Sequence, residues 1–92
     1  MNDGPGCSGV GILYETGQGV KQDYKKAKTL YEKGCELNDS KGCFNLAVTY
    51  KHGKGGVRQS YHQAKEHYGK ACDFGEQKGC DKYAELNNKK GY

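Results

Sequence analysis

The apolar residues of this chain recur at helical offsets in short runs, and each run is closed by glycines. Val10, Leu13 and Tyr14, and again Leu46 and Tyr50, are spaced by three and four, and both groups run into glycines (Gly17 and Gly19; Gly53, Gly55 and Gly56) that can take left-handed cap and loop conformations. These segments predict helices, called A. Asp23 and Ser60 are good N-caps. Each precedes a stretch in which one stripe is apolar or small: Tyr24, Ala27, Tyr31 and Gly34 in the first, Tyr61, Ala64, Tyr68 and Ala71 in the second. These predict helices called B. Polar links at residues 37–40 and 74–77 lead to the next A helix, the last of which covers about Lys78 to Asn87. Gly11, Ala47 and Ala84 share one repeat position, as do Ala27 and Ala64, and small side chains there would let the A and B backbones approach closely. Gly11 inside a helix costs up to about 1 kcal/mol, which close packing would offset.

The order A-B-A-B-A is written twice over. Gly6-Cys7, Gly42-Cys43 and Gly79-Cys80 open three near-copies of one segment, so the cysteines recur at spacings of 36 and then 37, the extra residue being one glycine of Gly55-Gly56. Ala27, Tyr31, Lys33 and Cys35 return as Ala64, Tyr68, Lys70 and Cys72. A period of this length means stacked repeats. The expectation is an all-α solenoid of antiparallel helix pairs in a single domain over 1–92, with repeat one at about 5–40, repeat two at about 41–77 and a C-terminal capping helix at about 78–88.

Composition narrows this picture. A chain of 92 residues buries little apolar surface and benefits from covalent staples. It has no Trp but eight Tyr, which can bury a ring and keep the hydroxyl wet, so the expected core is thin and tyrosine-rich. The net charge of +4 comes from Lys and Asp/Glu interspersed along the chain, with no basic block. That describes a solvated helical surface and argues against nucleic-acid binding. No apolar run approaches the ~18 residues of a membrane span, and no signal-peptide core precedes Asp3; Met1-Asn2 fits a start or the relic of a trimmed leader.

Cys35 and Cys43 are eight apart, as are Cys72 and Cys80, and in each pair the first ends a B helix while the second begins the next A helix. An antiparallel turn brings them together, and a disulfide there would stabilise by about 2.5 kcal/mol in the chain-entropy model. Zinc is the competing reading, but there is no Cys-x-x-Cys and no His at the usual ligand spacing. No metal and no cofactor are expected. Cys7 is the odd cysteine: a thiol outside both pairs, an intermolecular link, or the cut edge of a longer array. A monomer is expected, with a Cys7-linked dimer as the alternative.

The Gly-Cys opening, the Leu-Tyr helix, the Gly-x-Gly-Val-x-Gln-Asp-Tyr-x-Lys-Ala loop and the Tyr-x-Lys-x-Cys helix resemble the Sel-like repeat, and more narrowly its branch of Helicobacter cysteine-rich proteins. The likeness covers residues 6 to about 87. Thr49 stands where the family prefers Leu, Ser60 replaces the loop Asp, and His67 takes the position of Leu30. The resemblance implies a tetratricopeptide-like α/α solenoid, secreted or periplasmic, with one disulfide per repeat. It also implies a concave groove lined by the A helices, whose positions here are Ser8, Ile12 and Glu15, then Phe44, Val48 and Lys51, then Asp81, Glu85 and Asn88. Each triplet has i, i+4, i+7 spacing and so shares one helical face. Phe44 and Val48 would form an apolar floor between charged walls, suited to a peptide, a protein segment or a peptidoglycan-like ligand; the alternative is that both pack against neighbouring helices.

The branch further implies penicillin binding with weak beta-lactamase activity. The residues lend this little: none of Ser8, Ser40 and Ser60 is followed by Lys at the third position, so the Ser-x-x-Lys nucleophile is missing and catalytic residues are unknown. His62 and His67 are five apart, which turns them about 140° from one another, away from a shared metal. His62 is expected in solvent and His67 at a substituted core position.

Overall fold

The computed structural model describes residues 4–88. Met1 and Asn2, with the leader reading they carry, lie outside the described residues. The described chain forms five helices, α1 (Gly4–Thr16), α2 (Tyr24–Glu36), α3 (Ser40–His52), α4 (Tyr61–Asp73) and α5 (Gln77–Asn88), with a 3-10 turn at Lys54–Gly56 and no strand. Helices α1, α3 and α5 are the A helices; α2 and α4 are the B helices. They stack as an α/α solenoid.

Each A-to-B loop is built by the same parts. The Asp23 amide donates to the Tyr14 carbonyl at 2.8 Å, and the Ser60 amide to the Tyr50 carbonyl at 2.9 Å. Gln22 Nε2 donates to the Glu15 carbonyl and Gln59 Nε2 to the Lys51 carbonyl, each at 2.7 Å, tying the loop back to the helix it has left. Asp23 then accepts from the Lys26 amide and Ser60 from the Gln63 amide, both at 3.1 Å, so serine caps α4 as aspartate caps α2. Gly53 ends α3 at φ 65°, a left-handed conformation that glycine takes without strain.

Each B-to-A turn brings two backbones almost into contact. A Cβ on Gly42 would sit 2.9 Å from the Cys35 amide nitrogen, and one on Gly79 would sit 2.8 Å from the Tyr68 carbonyl. That proximity explains why glycine precedes Cys43 and Cys80: it lets the helices cross closely enough for Cys35–Cys43 and Cys72–Cys80 to close as disulfides, each with Cα atoms 4.6 Å apart. The turn between them needs a left-handed residue, supplied by Asn38 (φ 66°) in one and Gly75 (φ 103°) in the other.

The core runs along α3. Ala27, Tyr31 and Leu46 form one cluster, and Ala47, Ala64, Tyr68 and Leu86 form a second with Phe44, Val48, Tyr50 and Tyr61 packed on it. Tyr31 and Tyr68 are each 1% exposed, so tyrosine rings do fill the interior. Two expectations are corrected. Tyr24 belongs to the predicted α2 stripe but is exposed, because it stands at the helix start beside the 3-10 turn and not over α1. Ala84 is exposed where Gly11 and Ala47 are buried, because among the described residues no B helix follows α5 to cover it.

Candidate functional site

The A-helix face is assembled from three copies of one register. In the first row, Ser8 is buried and donates its hydroxyl to Asp39 Oδ2 at 2.5 Å; the same oxygen accepts from the Gly42 amide at 3.1 Å and so caps α3. Asp39 thus joins α1 to the junction of α2 and α3. Phe44 stands in the next repeat where Ser8 stands in the first, half-buried against Tyr68 in an edge-on contact with centroids 5.3 Å apart, and against Cys35, Cys43 and Ala71. Asp81, the third member, is exposed and accepts from Gln77 Nε2 at 3.2 Å.

The middle row is Ile12, Val48 and Glu85. Ile12 is 42% exposed, Val48 is half-buried against the second core cluster, and Glu85 is exposed, within ion-pair reach of Lys82 at 3.9 Å. The third row is Glu15, Lys51 and Asn88. Glu15 accepts from the buried Tyr31 hydroxyl at 2.7 Å and from Lys54 Nζ at 2.8 Å, which pins the 3-10 turn of repeat two onto α1 and α2 of repeat one. Burial pushes the Glu15 carboxyl up, but the bonds from Lys54 and Tyr31 and the Lys54 charge outweigh it and hold Glu15 below the usual carboxylate value. Burial, reinforced by Glu15, raises the Tyr31 phenol. In repeat two the place of Glu15 is taken by Lys51, and Tyr68 is raised by burial and then by the Glu85 charge. Lys51 is half-buried and Asn88 exposed.

Phe44 and Val48 are thus half-buried, each with one side on the core, and Ile12, Asp81, Glu85 and Asn88 are exposed. The bonding of Ser8 and of Glu15 was not legible in advance. Helical spacing places residues on a face, but it does not say which row of that face turns into the neighbouring helix. Gln22 and Gln59 were also missed as loop staples, although their recurrence with the Gly-x-Gly loop carried the signal.

The remaining candidates settle into structural places. His62 is exposed; His67 is half-buried, its ring stacked 5.5 Å from that of Tyr50 and its Nδ1 2.8 Å from the Gln63 carbonyl. Among the described residues, no three of His, Cys, Asp and Glu converge on a metal position. Cys7 is 4% exposed, so a Cys7-linked dimer would require α1 to open: the helix turns the thiol inward. No helix of the described residues is long and apolar enough to cross a membrane.

The Sel1 repeat pattern matches residues 5–39 and 40–75. The protein named beta-lactamase HcpA of Helicobacter pylori is 49% identical over 35 residues, 38% of this chain and 14% of HcpA. The structure of Helicobacter pylori cysteine-rich protein B superposes with a TM-score of 0.80 at 41% identity, over 85% of this chain and 58% of that one. A Sel1 repeat protein from Oxalobacter formigenes superposes with a TM-score of 0.87 at 28% identity, over 92% of this chain and 35% of that one. The chain thus spans only part of each relative's length.

Proposed function

The chain belongs to the Sel1 repeat family, and from that premise we propose that it is an extracytoplasmic scaffold holding a peptide, a protein segment or a cell-wall-related ligand across its A-helix face. The supporting observation is the middle row: an exposed Ile12 and a half-buried Val48 lead toward exposed Glu85 and Asp81, so an apolar floor meets an acidic wall with Lys51 beside it. Ser8, Glu15 and Phe44 hold the helices that present this row, and Asn88 borders it. Two disulfides and a Helicobacter cysteine-rich relative fit an extracellular or periplasmic protein, where such bonds persist.

Titration calorimetry with muropeptides and with penicillin derivatives tests this reading. Ile12→Ala should weaken binding by about 1 to 3 kcal/mol, as an anchor residue would, and leave the melting temperature nearly unchanged. Binding by neither ligand class, or binding indifferent to Ile12, would end it.

The alternative, weak beta-lactamase activity, draws on the name of HcpA. Ser8 and Asp39 are a hydroxyl and a carboxylate within bonding distance, but Ser8 is 2% exposed and out of a substrate's reach. Ser60 is committed to the α4 cap. Nitrocefin turnover that survives purification and disappears in Ser8→Ala would favour the enzyme over the scaffold.

A further inference from the structure

The opposite face of the solenoid carries a second candidate site. Helices α2 and α4 do not close on one another, and between their C-terminal halves lies a cleft of about 330 Å³. One wall is acidic, with Glu32 and Glu36 one turn apart on α2. The other carries Lys70, beside the fixed ring of His67, on α4. Leu46 of α3 makes the floor, and Phe74, 40% exposed, stands at the rim. Glu32 is engaged by Lys28 at 3.3 Å. Glu36 and Lys70 are exposed and, among the described residues, enter no salt bridge, although they face the same cleft.

We infer that this cleft binds a small zwitterion of dipeptide size, its ammonium group against Glu36, its carboxylate against Lys70 and an apolar side chain over Leu46 and Phe74. The argument is one of exclusion by charge. A simple anion would be repelled by the α2 wall and a simple cation by the α4 wall, whereas a molecule with opposite charges at its two ends satisfies both. A neutral apolar molecule would draw on the Leu46 and Phe74 surface alone and gain nothing from either charge. The volume suits a dipeptide and excludes a folded segment. The inference is independent of the A-helix face, which lies on the other side of α3.

The test uses the oxidised protein and leucyl-leucine as probe, followed by amide chemical shifts. Saturable shifts are expected at Glu36, Asn38, Lys70 and Phe74. N-acetylation or C-amidation of the peptide should each weaken binding about tenfold, the loss expected of one charge-assisted bond. Glu36→Gln should abolish the preference for the free amine and Lys70→Gln the preference for the free carboxylate. Both side chains are exposed, so the melting temperature should not move. Capped peptides binding as tightly as the free one, or the absence of saturable shifts at those four amides, would overturn the site. Shifts confined to Ile12, Val48 and Glu85 would overturn it too, while leaving the A-helix face in place.

Discussion

The two junctions where a B helix hands over to an A helix share one frame, two cysteines eight apart with Lys-Gly before the second, yet they are held very differently. At the first, Cys43 is wholly buried and Cys35 nearly so, Ala71 of α4 packs over the disulfide, and α1 reaches across through Ser8 to Asp39. At the second, Cys72 and Cys80 are half-exposed, Phe44 replaces Ser8, and Glu76 replaces Asp39. The local geometry is the same in both, with Cα separations of 4.6 Å. The difference lies in the cover. Among the described residues, the first junction receives a helix from either side, whereas the second receives only the helix before it. In a solenoid the repeat supplies the shape and the neighbours supply much of the stability.

The largest effect should come from the core residue that the central position buries. Leu46→Ala should cost about 2 to 5 kcal/mol, but Tyr83→Ala, the same repeat position at the exposed end, well under half of that. Denaturant melts of the two variants measure the difference, and equal losses would break the comparison. Deleting the disulfides comes next. Cys35→Ala with Cys43→Ala should lose about 2.5 kcal/mol from loop closure alone, together with packing at the wholly buried Cys43. The pair at Cys72 and Cys80 should lose the loop term and little else.

A smaller contrast separates the two buried tyrosines. Tyr31 gives its hydroxyl to a carboxylate that Lys54 also holds, so Tyr31→Phe should cost about 1.5 to 3 kcal/mol. Tyr68→Phe, with no such bond among the described residues, should cost less than about 1 kcal/mol.

The same carboxylate makes a pH prediction. Glu15 is depressed in the folded state, so its contribution is present above the unfolded glutamate value of 4.5 and is lost as the pH falls through the lower, folded value. A stability profile below pH 4.5 should steepen relative to Glu15→Gln. Parallel profiles would remove the Glu15, Tyr31 and Lys54 link from the account.

These contrasts also mark what could be read in the chain. The Gly-Cys repeats, the caps at Asp23 and Ser60 and the cysteine spacing were legible because each is a local signal with one physical use. In the sequence Asp39 reads as part of a polar link: a cap is conspicuous when an apolar run follows it, and Ser40-Lys41-Gly42 is not such a run. The exposure of Ala84 was hidden because a repeat pattern reports what a position wants to pack against and not whether that neighbour is there. The A-helix triplets came from helical spacing and family likeness, which place Ser8 and Ile12 on one face. Only the stacking angle of α1 on α3 turns Ser8 inward to Asp39 and leaves Ile12 in solvent.

The claim that neighbours, and not the local turn, decide the stability of each junction is tested most directly by limited reduction. The native protein is exposed briefly to dithiothreitol, alkylated and mapped by mass spectrometry. Cys72 and Cys80 should be labelled well before Cys35 and Cys43, because their sulfurs are the more accessible to attack. Equal labelling of the two pairs, or Cys35 and Cys43 labelled first, would contradict the account.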